Sequence, residues 1–176
     1  MENQVLQVLK TRRSVRKYQQ KQVEESALAA ILEAGSYAAT GRNKQSPVIV
    51  SVEDKETRDL LSKMNREIMG SDSDPFYGAP AVLVVLADKS VPTYLYDGAL
   101  VMGNLLNAAH ALGVDSCWIH RAKEEFESPE GKKLLEKWGL PENLEGIGHC
   151  VLGYRREALP QRAPRKEGYI LRVKER

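Results

Sequence analysis

The sequence predicts a single domain that mixes helices and strands, and three observations predict it. Short apolar, β-branched runs alternate along the chain with longer stretches whose apolar residues recur at helical spacing. One short run, Pro80 to Ala87, is apolar on both faces, which places it in the middle of a sheet. One long stretch, Thr93 to Leu112, is apolar nearly all round, so as a helix it is buried in the core or against a second subunit. A length of 176 residues fits one domain, 1–176, with a core large enough to fold alone.

In order, Val5, Leu6, Val8 and Leu9 give a short helical apolar face. Val23 to Tyr37 reads as a second helix, with Leu28, Ile31 and Leu32 as its stripe and Ala27, Ala30 and Ala34 permitting close packing. Val48 to Val52 is a β-branched strand. Asp54 caps a helix that runs to Met69, with Leu60, Leu61, Met64 and Ile68 on its inner face. Asn65 falls beside that face, where its amide is either solvated or aimed at a ligand. In the Thr93–Leu112 helix, Gly98, Gly103 and several alanines permit close helix–helix approach, and Gly113 ends it. Val114 to Ile119 is a short strand that leads into His120-Arg121. Ser128-Pro129-Glu130 opens a further helix in the order cap, proline, acid, and Gly139 closes it. Ile147 to Tyr154 is the last strand, and a basic, proline-containing tail follows with the pair Arg165-Lys166.

Composition removes several function classes. The formal net charge of +2 is too small for a dedicated nucleic-acid binder. The longest apolar run, Ala79 to Ala87, is far short of the ~20 residues of a membrane helix. The opening Met1-Glu2-Asn3-Gln4 does not begin a signal peptide. Cys117 and Cys150 stand far apart with no CxxC pair or Cys/His ligand cluster, which argues against zinc. They are expected as buried free thiols in a reducing cytosol, with a disulfide left open. The expectation is a cytoplasmic protein with neither nucleic acid nor membrane as partner.

Two polar stretches carry candidate binding residues. Thr11-Arg12-Arg13-Ser14-Val15-Arg16-Lys17-Tyr18 concentrates guanidinium forks and a serine hydroxyl, a set suited to a phosphate dianion. Taken alone, it reads first as a solvated basic loop or a recognition site for a partner. Ala39-Thr40-Gly41-Arg42-Asn43-Lys44-Gln45-Ser46-Pro47 offers donors and acceptors of the sort that read the edge of a heteroaromatic ring, or it is a plain connecting loop.

Other chemistry is missing. Gly146-Ile147-Gly148 has Val151 where a dinucleotide loop has its third glycine, and it precedes a strand rather than a helix. There is no GxxxxGK[ST] phosphate loop and no GxSxG elbow. His110, His120 and His149 are scattered, and structural roles are expected for His110 and His149. A phosphate cup and ring-reading loops without an acid/base cluster point to chemistry done by a cofactor.

Together these segments resemble the FMN-dependent nitroreductase family, over nearly the whole chain. The carrying motifs are Arg12 to Tyr18 after the first helix, Ala39 to Pro47 after the second, and Gly78-Ala79-Pro80 before the apolar strand. Asp97-Gly98-Ala99, Ala111-Leu112-Gly113-Val114-Asp115-Ser116, and Leu152-Gly153-Tyr154 with a proline and basic pair beyond it complete the set. The resemblance implies an α+β three-layer sandwich, a mixed but mostly antiparallel sheet flanked by helices. It also implies an obligate homodimer with two FMN sites between subunits. Arg12, Ser14 and Arg16 would hold the phosphate and the polar edge of the ring, with Arg13 contributing mainly backbone. Arg165 and Lys166 would reach the phosphate from the tail, and Asn65 would be the amide at the flavin edge. Thr40, Gly41 and Asn43, with Gln45 nearby, would approach the same flavin from the other subunit. The activity implied is a ping-pong cycle in which NADH or NADPH delivers hydride to flavin N5 and a nitroaromatic, quinone or similar electron-poor acceptor takes the electrons. No side chain is then assigned as catalytic.

The chain departs from the family pattern in three places. His120-Arg121 stands where an acidic-glycine pair is usual, Gln45-Ser46-Pro47 replaces a Gln-Pro-Trp-like continuation, and there is no room for a large lid insertion. These bear on substrate and nicotinamide preference more than on the flavin. The competing readings are a flavin-binding protein without turnover, such as a sensor or storage protein, and a basic binding module that uses Arg12 to Arg16.

Overall fold

Strand β2 (Ala81–Asp88) is the strand around which the molecule is layered. In the computed structural model, which describes residues 2–174, it lies inside a four-stranded sheet of order β1-β2-β4-β3. The flanking strands are β1 (Pro47–Val52), β3 (Asp115–Ile119) and β4 (Leu144–Gly153), and every neighbouring pair is antiparallel. Six helices complete the chain: α1 (Gln4–Thr11), α2 (Glu25–Ser36), α3 (Lys55–Met69), α4 (Tyr94–Ala111), α5 (Ala122–Glu127) and α6 (Pro129–Lys137). The α+β three-layer expectation is met.

The period of two along β2 sorts its side chains between two cores. Val82, Val84 and Leu86 face Leu61 and Met64 of α3, Phe126 of α5, and Leu134 and Leu135 of α6. Ala81, Leu83 and Val85 face Leu28 and Ile31 of α2 and Met102 and Leu105 of α4. Val82 to Ala87 are wholly buried. Each valine or leucine among them contributes about 1.5–3 kcal/mol of transfer free energy, so this strand anchors both layers.

Glycines set the closest approaches. A Cβ on Gly35 would lie 2.5 Å from Leu105 Cδ2, so Gly35 lets α2 seat on α4. The register between β2 and β4 slips between Val85 and Leu86, which leaves Ile147 bulged between Gly146 and Gly148. Ile147 meets Gly98 of α4, where an added Cβ would lie 2.5 Å from Ile147 Cγ1. Gly98 therefore serves helix-on-sheet packing, and Gly103, with nothing within 4 Å of an added Cβ, meets no neighbour within the chain.

Several sequence expectations need correction. α1 buries none of its residues, and Val5, Leu6 and Leu9 are exposed. The buried stripe of α3 is Leu61, Ser62, Met64 and Asn65, with Leu60 and Ile68 turned outward. Within one chain helix α4 leaves Leu95, Tyr96 and Leu100 exposed, so of the two alternatives burial in the core does not hold for that face. β4 starts at Leu144, three residues before the β-branched run shows it. Helix α5 has no counterpart in the sequence reading. It is only six residues long, and its buried residues are Ala122, Glu125 and Phe126, so no apolar period marks it.

Candidate functional site

The arginine-rich octet is an ordered sheet-edge segment. Ser14 bridges Ser116 in parallel fashion, and the Val15 N–H donates to the Ser116 carbonyl at 3.0 Å. Tyr18 bridges Arg155, and the Arg156 N–H donates to the Lys17 carbonyl at 3.0 Å. Val15 and Tyr18 are buried, and the Tyr18 hydroxyl donates to the Val15 carbonyl at 2.8 Å. With these two side chains turned inward, Arg12 and Ser14 stay half-buried and Arg16 lies exposed at the edge of β3.

Two cavities open on either side of Arg16. One, of about 180 Å³, is lined by Arg16, Tyr77, Cys117, Trp118, His120 and Arg121, among others. The other, of about 170 Å³, is lined by Ser14, Arg16, Lys17 and Arg155 on one side and Glu157 and Pro160 on the other. Among the described residues, neither Arg12 nor Arg16 has a carboxylate within ion-pairing distance. Arg12 Nη1 is buried without a hydrogen-bond partner, and so is Trp118 Nε1. A buried, unpaired guanidinium nitrogen is costly unless an anion meets it. Arg13 differs, since its guanidinium donates to the carbonyls of Lys10 at 3.0 Å and Arg12 at 2.6 Å. The local field is positive: burial lowers the His110 imidazole, Asp115 raises it, and Arg12, Arg155 and Arg13 lower it further. Burial also pushes the Cys117 thiol up, while Arg16, Ser14 and Arg12 act against that rise.

Asn65 is fully buried, so it is not solvated. Its Nδ2 donates to the His120 carbonyl at 2.7 Å and to Glu125 Oε1, and its Oδ1 accepts from Arg121 Nε at 2.9 Å. Glu125 Oε1 also meets His149 Nε2 at 3.0 Å, with both side chains completely buried. This chain of polar groups lies behind the His120-Arg121 wall of the 180 Å³ cavity. The roles of Trp118, Arg121 and Glu125 carry no sequence signature of their own, apart from the unusual His120-Arg121 pair.

The Thr40–Gln45 loop sits elsewhere. It precedes β1, whereas the octet lies along β3, and β2 and β4 stand between these two edges. Three strand spacings separate them, roughly 14 Å. Asp97 organises the loop: its carboxylate accepts from the Gly41 N–H at 2.9 Å, Ser46 Oγ at 2.8 Å and Thr93 Oγ1 at 3.0 Å. Burial works against ionisation of Asp97, but these donors hold its carboxyl below the usual aspartate range. Arg42, Asn43 and Gln45 take positive φ values of 51°, 53° and 47°, a strained run that is held by local bonds. The Gln45 N–H donates to Thr40 Oγ1 at 3.1 Å, and Gln45 Nε2 donates to Asn43 Oδ1 at 3.1 Å.

Arg165 and Lys166 are exposed on a tail without regular structure. Arg165 donates to the Ala163 carbonyl at 3.0 Å, and the Lys166 ammonium lies 5.7 Å from the centre of the Tyr169 ring. Within one chain, then, Arg12, Ser14, Arg16 and Asn65 gather around the β3 edge, Thr40 to Gln45 gather beside β1, and the tail pair joins neither.

An antiparallel sheet sandwiched by helices, with Arg16 lining a cavity at the β3 edge and Arg12 half-buried near it, defines an α+β protein with a basic cavity at one sheet edge. The model of the Nitroreductase family matches residues 9–75 and 68–154, and the chain belongs to that family. It is 31% identical over 157 residues to a putative NADH dehydrogenase/NAD(P)H nitroreductase of Archaeoglobus fulgidus, covering 86% of each chain. It is 26% identical to the NAD(P)H-dependent FMN reductase of Bacillus subtilis, covering 92% of this chain and 72% of that one. Among solved structures, a nitroreductase with bound FMN from Bacteroides fragilis superposes with a TM-score of 0.90. It shares 32% identity, with coverage of 98% of this chain and 100% of the other.

Proposed function

We propose that the protein is an FMN-dependent NAD(P)H oxidoreductase that passes electrons to nitroaromatic, quinone or similar electron-poor acceptors. One observation carries this reading: among the described residues Arg12 and Arg16 stand at the β3 edge without an anionic partner, and one Arg12 nitrogen is buried and unsatisfied. The residues present fit a flavin phosphate. Bound FMN would supply the redox chemistry, accepting hydride from the nicotinamide and giving electrons to the acceptor.

The chain's own residues do the holding. Arg12, Ser14 and Arg16 bind the phosphate and the polar edge of the ring, and the backbone of Arg13 shapes the turn while its side chain stays on the end of α1. Asn65 reaches the flavin edge only by releasing one of the three bonds that now occupy it. The cavity of about 180 Å³ falls below the roughly 300–1,000 Å³ of complete small-molecule sites. We take its missing part from a second copy, whose Thr40, Gly41, Asn43 and Gln45 complete the ring site and whose exposed tail brings Arg165 and Lys166. The exposed Val5, Leu9, Tyr96 and Leu100, with Gly103 nearby, supply an apolar face for that homodimer. Among the described residues no helix is long and apolar enough to cross a membrane, and we place the enzyme in the cytoplasm.

The test begins with an absorption spectrum of the purified protein and identification of the flavin released by heat. Steady-state oxidation of NADH and NADPH with nitrofurazone or menadione follows. Bound FMN with turnover supports the reading, and bound FMN without turnover makes the protein a flavin binder only. A protein that stays colourless after FMN addition overturns the reading altogether.

A further inference from the structure

We infer that Arg121 sets the charge preference of the substrate site, so that the protein favours electron acceptors carrying an anionic group; this rests on the function proposed above. Arg121 takes φ 77° and ψ 6°, the left-handed region that a non-glycine residue occupies at a cost of order 1–3 kcal/mol. Its side chain is nevertheless held in one place. Nε donates to Asn65 Oδ1 at 2.9 Å, and Nη2 lies 3.2 Å from Met69 Sδ. Asn65 is itself fixed by the His120 carbonyl and by Glu125, which is anchored on His149. Three wholly buried side chains, Asn65, Glu125 and His149, thus hold one guanidinium at the cavity wall.

Among the described residues no carboxylate pairs directly with that charge: neither Glu124, the nearest acid in sequence, nor Glu125, whose Oε1 is engaged by Asn65 and His149. The cavity lining contains two guanidiniums, Arg121 and Arg16, and no aspartate or glutamate. Tyr77, Trp118 and His120 are also among its lining residues, and the Trp118 and His120 rings lie with centroids 6.0 Å apart. With the flavin in this cavity, an acceptor that enters beside it carrying a carboxylate or sulfonate meets a fixed, planar fork in Arg121. Arg16 is assigned to the flavin phosphate, which leaves Arg121 as the cation for the acceptor.

The test compares two acceptors with the same reactive ring, 4-nitrobenzoate and 4-nitrobenzamide, with the FMN-loaded protein at low salt. The wild type is expected to show a kcat/KM for the benzoate about tenfold above that for the benzamide, the factor expected of one well-placed charge contact. Raising the ionic strength should shrink that ratio. Arg121→Gly removes the charge at a position whose backbone glycine adopts freely, so it folds, and it should bring the ratio to about one. Arg121→Lys should restore part of it. An unchanged ratio in Arg121→Gly overturns the inference. So does an equal change for both acceptors accompanied by a shift in flavin reduction potential, since the guanidinium would then act on the cofactor. Calorimetric titration of the two compounds into the protein reads the same preference without turnover. Absence of activity with a retained benzoate preference therefore counts against the enzyme reading alone, and equal affinities count against Arg121.

Discussion

Asp97 holds Gly41 across 56 residues of sequence: its Oδ1 accepts the Gly41 N–H at 2.9 Å. The same carboxylate takes hydroxyl donors from Ser46 and Thr93, so one buried acid ties the start of α4 to both ends of the Thr40–Gln45 loop. Gly41 can come this close only because it lacks a Cβ, which would sit 2.4 Å from Thr93 Oγ1. Asp97→Ala leaves three donors unpaired and should destabilise the fold by about 3 kcal/mol in urea titration. The folded carboxyl titrates below the ordinary aspartate range, so its contribution is full above that range and is lost as pH falls through it. Asp97→Asn should therefore flatten the acid limb of the stability–pH curve. An unaltered acid limb in that variant would show that the loop anchor does not depend on charge.

Arg12 and Arg16 give the second prediction. In the proposed phosphate site each would make a charge-assisted contact worth about 1.5–3 kcal/mol, so Arg16→Ala should weaken FMN binding by roughly 10- to 100-fold. Arg12→Ala should do the same and also remove an unsatisfied buried nitrogen, so the apoprotein should be no less stable than wild type. Arg13→Ala should leave FMN affinity near wild type, because its guanidinium is already spent on the carbonyls of Lys10 and Arg12. Flavin fluorescence titration ranks the three. Equal losses for all would mean that net charge, rather than geometry, attracts the flavin.

How much of this was legible in the sequence depends on the kind of signal each part carries. Val82 to Ala87 announced the central strand because burial on both faces needs an unbroken apolar run. Ser128 and Asp54 announced helix starts because a cap is a local bond, and both side chains accept from a backbone N–H three residues on. Helix α5 was silent, since its main buried side chain beside Phe126 is a carboxylate whose partners, Asn65 and His149, are 60 and 24 residues away. The bulge at Ile147 was equally silent, and Gly146 and Gly148 on either side of it, which mimic a dinucleotide loop, serve close approaches to Ala122 and Trp118. The octet showed its arginines but not its geometry. That geometry depends on Val15 and Tyr18 locking onto Ser116 and Arg155. The exposed faces of α1 and α4 look like misplaced core positions when only one chain is considered.

The buried Glu125–His149 pair supports the third prediction. Both side chains have no exposure, Glu125 Oε2 and His149 Nδ1 lack partners, and the rings of Phe76 and Phe126 flank the imidazole at 5.2 Å and 6.5 Å. Removing His149 takes away one of the two hydrogen-bond partners of the buried Glu125 and leaves a cavity beside Phe76, so His149→Ala should cost about 1–3 kcal/mol or more. Replacing both with apolar residues should cost much less than the sum of the single changes. A double-mutant cycle in guanidinium chloride measures the difference. Strict additivity would mean that the two groups are coupled only by proximity.

Gly146 and Gly148 give a prediction in which adjacent, similar changes act on different properties. A Cβ on Gly146 would lie 2.2 Å from the backbone carbonyl of Ala122, which cannot retreat without moving the start of α5. Gly146→Ala should therefore lower stability by about 1–3 kcal/mol or more, through overpacking against backbone. A Cβ on Gly148 would instead lie 2.2 Å from Trp118 Nε1, a side-chain atom. The indole is a side chain that can give way, and Trp118 is one of the residues that line the cavity with Arg16 and Arg121. Gly148→Ala should thus cost less stability than Gly146→Ala and more FMN affinity, with a change in Trp118 fluorescence reporting the displaced ring. Thermal melts and flavin titrations on both variants separate the two effects. The assignment of Trp118 to the flavin cavity fails if Gly148→Ala leaves flavin affinity at the wild-type value while its indole emission shifts.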